Sequence, residues 1–378
     1  MSYAIEHSMR PPRRAVPRFD VVLVGAAGAL SALGVIMVYT ATKDALAAAG
    51  ADPRSYLIHQ AVFVVLGLGV MLAVALFDYR QLEGVSTVMY VGMLLALLAV
   101  LSPIGSHALG SQRWFSLGIF QLQPSEFATL VLVIAIATYC SRRPEGLTLR
   151  DMVRLLLLTG VPMVLVIKQP DLGTGIVLGV ILVVMLAGAG LPGRYLLFLL
   201  IGTAIAVAIA LQVGLLQHYQ IQRLTSFISP NTASRSATYN VDQAKAAIGS
   251  GGLFGTGLFH GIATNLSYVP SQQTDFIFSA VGEQLGFVGC SIVLFLYGVV
   301  AFRVLRVAQQ AKDNFGRYLC VGVFGLLVFS VVENVGMNVG VMPVAGIPLP
   351  FLSYGGSAIV DFFAGIGLVL SVHLRNTR

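Results

Sequence analysis

The sequence predicts an all-α polytopic membrane protein, and three observations carry that prediction. Of its 378 residues 57% are hydrophobic and only 10% are charged. A soluble domain carries roughly 25% charged residues, so this chain cannot cover a water-facing surface of its own size. The mean hydropathy, +0.86, says the same. The third observation is arrangement: apolar residues come in long runs, parted by short clusters of arginine and lysine. Soluble enzymes and disordered proteins are thereby excluded. So is a nucleic-acid partner, despite a pI near 9.5, because topogenic charge between apolar runs builds no basic face.

A helix crossing roughly 30 Å of hydrocarbon needs about 20 mostly apolar residues. Lipid satisfies no open backbone groups, so the spans must be helices. Ten runs meet the length: 21–42, 57–77, 85–102, 124–140, 152–167, 172–190, 195–216, 276–302, 317–340 and 357–374. About ten transmembrane helices are expected. The first run is too long for a signal-peptide core and lacks a convincing cleavage site, which predicts that it is retained.

Charge sets the orientation. With both termini cytoplasmic, the inner segments collect Arg10, Arg13, Arg14 and Arg18, then Arg142, Arg143, Arg150 and Arg154, then Arg303, Arg306, Lys312 and Arg317. Arg80, Arg194, Arg375 and Arg378 join them. The outside keeps Lys43, Arg54, Arg113, Lys168, Arg223, Arg235 and Lys245, spread over longer loops. That asymmetry obeys the positive-inside rule. Residues 1–18 read as a basic cytoplasmic tail near anionic lipid, and 19–378 as one transmembrane domain without an internal repeat. Residues 217–274 form a large extracellular loop between helices 7 and 8. Its apolar residues, Ile221, Leu224, Phe227, Leu253, Phe254 and Phe259 among them, predict an ordered loop lying partly in the membrane interface.

Charges within apolar runs each ask for an account. Glu126, Glu283, Glu333 and Asp361 lie inside spans, with Asp171 and Asp275 at outer ends. Paired structural charge is the plain explanation for any one of them. Asp275 is the sharpest case, standing where the long loop re-enters the membrane. A carboxylate there stays ionised yet partly desolvated, as a general base requires; an N-cap for the following helix is the equal alternative. Gln169-Pro170-Asp171-Leu172-Gly173 reads first as a tight turn with Asp171 capping the next helix. Pro124 and Glu126 suit the first turn of another helix, against an equal prospect that Glu126 lines a polar cleft.

Several patterns exclude chemistry. The glycine-rich run 249–257 lacks both the G-x-G-x-x-G spacing and a following Gly-Lys-Ser/Thr, so it is no nucleotide loop; a tight turn is the expectation. Six scattered histidines form no i, i+4 metal pair, and Cys140, Cys290 and Cys320 no disulfide framework. The uncharged segment from Pro343 to Ser357 reads as a packed re-entrant connection.

The runs PLPFLSYGGS (348–357) and NVGMNVGVMPVAGIP (334–348) strongly resemble the SEDS family of RodA, FtsW and SpoVE proteins. So do RWFSLGIFQLQPSE (113–126), QPDLGTG (169–175), AIGSGGLFGTG (247–257) and TDFIFSAVGEQLGFVG (274–289), in family order over most of the chain. The MPVAG stretch (342–346) resembles the elongation type (RodA) more than the division type (FtsW). The resemblance implies a ten-helix peptidoglycan glycosyltransferase of the bacterial cytoplasmic (inner) membrane. It would polymerise lipid II into glycan strands at the outer face, for cell elongation and shape, releasing undecaprenyl pyrophosphate. A class B penicillin-binding protein, the transpeptidase, is the implied partner, beside lipid II, the nascent glycan strand and membrane lipids.

The family's essential aspartate falls on Asp275, its polar cleft on Arg113, Glu126, Lys168, Asp171 and Glu283, and its closing motif includes Ser353. This chain departs from the pattern at Thr129, where the family commonly has lysine, at Gln284 in place of a second glutamate, and at Ser330 in place of glutamine. Glu333 is an added charge.

Such a reaction needs a base for the attacking sugar hydroxyl and cations for the departing diphosphate. Asp275 is the expected base; Arg113, Lys168, Arg223 and Lys245 are the expected cations. A divalent cation, Mg²⁺ or Mn²⁺, suits the diphosphate, with no ligand set readable. The alternatives are a lipid II flippase or proton-coupled transporter using the intramembrane acids as a relay, and a non-catalytic scaffold. Clustering of the motif residues on the outer side favours the transferase.

Overall fold

The structure is a computed structural model that describes residues 19–103, 105–108, 111–117, 120–143, 146–212, 227 and 235–376. Residues 213–216 of the seventh predicted run lie outside the described residues; among the described residues each predicted run overlaps a helix. In order these are α1 (Val21–Ala48), α2 (Ser55–Leu76), α3 (Arg80–Val100), α4 (Pro124–Ser141), α5 (Leu149–Lys168), α6 (Leu172–Gly188) and α7 (Gly193–Gln212). Within the long loop come α8 (Arg235–Ser250) and the single turn α9 (Ile262–Asn265). The last three helices are α10 (Ile277–Gln310), α11 (Asn314–Asn338) and α12 (Gly356–Asn376). Among the described residues seven, α1–α4 and α10–α12, are long and apolar enough to cross a membrane; α6 and α7 are shorter apolar helices. The basic tail and Arg223 lie outside the described residues.

Burial sorts the helices. In the most apolar stretch of α12 78% of residues are buried, and in that of α4 72%, against 22% in α2 and α3. α4 and α12 are therefore the axis of the bundle, while α2 and α3 turn most of their surface to lipid. α12 packs along α2, with Phe363 buried in the seam.

Acidic residues at the inner end are paired with the arginines that orient the chain. Arg303 Nη2 sits 2.6 Å from buried Asp20, which also caps α1 through Leu23 N–H. Arg375 meets Asp78 at 3.1 Å and donates to the Leu76 carbonyl at the end of α2. Tyr79 and Arg80 both reach Asp313, the N-cap of α11. At the start of α5, Thr148 and Asp151 form a reciprocal cap. Asp151 also accepts from Tyr139 at 2.7 Å. These hydroxyl and amide donors, Thr148 first, hold the Asp151 carboxyl down at about 2.

One feature is not helical. A small antiparallel sheet of β1 (Ser106–Ala108), β2 (Ser111–Leu117) and β3 (Phe120–Leu122) folds over the outer end between α3 and α4. It pairs Ser106 with Trp114 and Phe115 with Leu122, and it carries Arg113.

Candidate active site

The site is built around a largely buried segment without regular structure, Pro343 to Ser353, as the uncharged composition predicts. Its backbone polar groups are satisfied by side chains from several helices, which is what burial demands. Glu333 accepts from Ala345 N–H at 3.2 Å, and Asn334 Nδ2 donates to the Ile347 carbonyl at 2.9 Å. Tyr297 donates to the Pro350 carbonyl, and Gln60 Nε2 to that of Ser353 at 3.1 Å. Gly34 on α1 admits the segment, since a Cβ there would stand 2.6 Å from the Phe351 carbonyl oxygen.

This segment in turn fixes the chain that carries Asp275. The Gln273 carbonyl accepts from Tyr354 N–H at 2.8 Å, and the Thr274 carbonyl accepts from Ser353 Oγ at 2.5 Å. The Asp275 carbonyl accepts from Asn334 Nδ2 at 2.9 Å and Asn338 Nδ2 at 3.1 Å. Three consecutive carbonyls are thus held, while the Asp275 residue stays part-exposed at the outer end. α10 begins at Ile277 with Phe276 as its N-cap, so Asp275 stands one residue before the cap position.

On the other side of the same segment lies a polar cluster. Gly173 packs against the Ala345 carbonyl, which brings the start of α6 beside it. Asp171 caps α6 through Thr174 N–H at 3.3 Å, as the turn predicts, and is 4% exposed. Its second oxygen accepts from Ser125 Oγ at 2.9 Å, Thr174 Oγ1 at 3.0 Å and Gln123 Nε2 at 3.1 Å. Arg113 reaches in from β2, with Nη1 3.8 Å from Asp171 Oδ1 and Nε donating to the Gln169 carbonyl at 2.8 Å. Glu126 stands in the first turn of α4 behind Pro124. One turn on, Thr129 donates at 3.0 Å to Asp361, which is buried on α12. Ser357 ties the clusters together, donating to the Gln121 carbonyl and accepting from Gln123 N–H.

The remaining predicted residues are placed as follows. Lys168 is exposed at the end of α5, beside the Gln169–Asp171 turn. Lys245 is exposed on α8, 3.2 Å from Asp242 and lying along Gly340. Ser353 is buried and spends its hydroxyl on the Asp275 loop. Glu283 is bound into the outer loop: its carboxylate accepts from Ala263 N–H at 2.7 Å, Thr264 N–H at 2.9 Å and Thr264 Oγ1 at 2.6 Å. The glycine-rich run does more than turn. α10 is broken at Gly286 (φ +66°), and the run docks backbone to backbone on the break. Thr256 N–H donates to the Glu283 carbonyl and Gly257 N–H to that of Gln284, while Phe287 N–H donates to Gly252. Gln123 and Ser125 carry no sequence signal of this bonding, whereas Asn334 and Asn338 do. Amides at i, i+4 in an apolar run are costly in lipid unless they bond to something.

Comparison with known proteins agrees with this architecture. Residues 21–378 match the family model of the FtsW, RodA and SpoVE proteins, described as cell cycle protein. The peptidoglycan glycosyltransferase MrdB of Escherichia coli K12 is 38% identical over 82% of this chain and 83% of its own. The stage V sporulation protein E of Bacillus subtilis is 34% identical over 93% and 96%. Among solved structures, a peptidoglycan synthase complex that coordinates polymerization and crosslinking aligns with a TM-score of 0.80 at 33% identity, over 95% of this chain and 98% of that one. The rod shape determining protein RodA of Thermus thermophilus aligns at 0.69 and 32%, over 94% and 96%. The fold and its polar outer end define a polytopic inner-membrane protein of cell-wall synthesis. The chain belongs to the SEDS family, that of FtsW, RodA and SpoVE.

Proposed function

We propose that this chain is a peptidoglycan glycosyltransferase of the elongation type, polymerising lipid II at the outer face of the membrane beside a class B penicillin-binding protein. Family membership over residues 21–378, with higher identity to MrdB (38%) than to an FtsW relative (32%), supports the enzyme class and the branch. The observation that supports the site is the part-exposed Asp275 on a backbone held at three successive carbonyls.

In the reaction, O4 of the GlcNAc of one lipid II attacks the anomeric carbon of the growing chain's terminal MurNAc. A glycosidic C–O bond forms, the bond from that carbon to the diphosphate oxygen breaks, and the hydroxyl proton passes to Asp275. Charge gathers on the departing undecaprenyl pyrophosphate. Lys168, Lys245, Arg223 and the Arg113 guanidinium are the cations assigned to it, with Asp171 and Glu126 shaping the cleft. Among the described residues no group of three or more His, Cys, Asp or Glu is set to hold a metal ion. In this reading a Mg²⁺ or Mn²⁺ ion would accompany the diphosphate and neutralise its charge.

The test is polymerisation of labelled lipid II by the purified protein with its penicillin-binding partner. Wild type and Asp275→Asn are compared, each with and without chelator. Abundant glycan strands from wild type and only residual synthesis from a folded Asp275→Asn are expected. Equal strands from both remove Asp275 as the base, and activity that survives chelation removes the metal.

A further inference from the structure

We propose that Asn334 and Asn338 are positioning residues for Asp275: together they fix the peptide plane that aims its carboxylate. The inference rests on the assignment of Asp275 as base.

The two asparagines are four apart on α11, so they share one face, and both are wholly buried. That face meets the start of α10. Because α10 begins only at Ile277, the Asp275 carbonyl lies outside the helical ladder and needs donors from elsewhere. Both amides supply them, at 2.9 and 3.1 Å. Asn334 divides its NH₂ between Asp275 and the Ile347 carbonyl. Asn338 donates also to the Asn334 carbonyl at 2.8 Å and, through Oδ1, accepts from Ser279 N–H at 3.1 Å. Asn338 therefore spans the first turn of α10 from before its start to inside it. Only an amide fits such a place, for it must donate to carbonyls and accept from an N–H; aspartate cannot donate, and serine is too short to span the turn.

The consequence is geometric. A peptide unit is planar, so holding its carbonyl oxygen holds the whole plane. The plane before Asp275 is held at the Thr274 carbonyl by Ser353, and the plane after it at the Asp275 carbonyl by the two asparagines. With both planes set, φ and ψ of Asp275 are set, and with them the direction of its Cβ. Only the side chain's own two torsions are then left unset by the backbone. Losing the asparagines frees one plane without touching substrate.

The experiment measures lipid II polymerisation kinetics for Asn338→Ser, Asn334→Ser, Asp275→Asn and the double variant Asn338→Ser/Asp275→Asn, each in complex with the partner and checked for monodispersity and Tm. Misplacing a reacting group by about 1 Å costs roughly 100-fold. Asn338→Ser should thus lose about that factor in kcat, with KM for lipid II nearly unchanged. In the Asp275→Asn background the same change should cost nothing more, because residues acting through one another are non-additive. Should Asn338→Ser fail to fold, Asn334→Ser leaves the three other bonds of Asn338 in place and carries the same expectation. A raised KM at intact kcat, or a further loss in the double variant, overturns the inference while Asp275 stands. If Asp275→Asn itself polymerises like wild type, the base assignment fails and the inference goes with it.

Discussion

Glu283 and Thr264 are joined twice: Glu283 Oε2 accepts both the Thr264 hydroxyl, at 2.6 Å, and its N–H, at 2.9 Å. With Ala263 N–H on the other oxygen, the carboxylate acts as the N-terminal cap of α9 and pins the outer loop to the first turns of α10. A charge placed on three donors orders the loop that supplies them.

Glu283→Gln replaces one acceptor oxygen with an NH₂ facing N–H groups. A cost of about 2–3 kcal/mol follows from bonds to a buried charge. Thermal unfolding in detergent should show a clear fall in Tm, with kcat per folded molecule nearly unchanged. A large loss of kcat at unaltered Tm would place Glu283 in the cleft after all.

Arg113 tests whether charge or shape matters at the polar cluster. Its guanidinium donates to the Gln169 and Pro170 carbonyls while facing Asp171. Lysine keeps the charge and loses the fork. Arg113→Lys is expected to lower kcat/KM by about tenfold, near 1.4 kcal/mol. Full activity in that variant would reduce Arg113 to a point charge.

Gly255 (φ +81°) lies where a Cβ would stand 2.1 Å from the Gln284 carbonyl oxygen. Gly255→Ala must push the glycine-rich run off the break in α10, at a cost above about 1 kcal/mol. Proteolysis within the outer loop should quicken markedly. An unchanged cleavage rate would show that the docking is slack.

At the inner end, Asp151 gives a pH signature. Its donors hold the folded carboxyl at about 2, below the ordinary 3.8, so it contributes stability above pH 4 that is lost as pH falls toward 2. The Tm advantage of wild type over Asp151→Asn should shrink across that window. A constant gap from pH 6 to 3 would contradict the assignment.

Much of this was legible in the sequence, for identifiable reasons. Apolar runs report helices directly, because lipid permits little else. The uncharged 343–357 segment and the capping Asp171 were readable as local chemistry. The sheet around Arg113 was not: strands of three, seven and three residues carry too little alternation to stand out. Nor was the partner of Glu283, twenty residues back in the chain, since pairing across a loop leaves no period. The asparagine clamp lies in the run NVGMN (334–338), yet its purpose depends on which helix start α11 meets.

All three native cysteines, Cys140, Cys290 and Cys320, are buried. Buried thiols in apolar surroundings react slowly, so the natural chain already serves as a quiet background for site-directed labelling. A single cysteine placed at exposed Lys168 or at exposed Gln310 becomes the one fast-reacting thiol. A membrane-impermeant maleimide added to intact cells then reads sidedness helix by helix, without first stripping native residues from the packed interior.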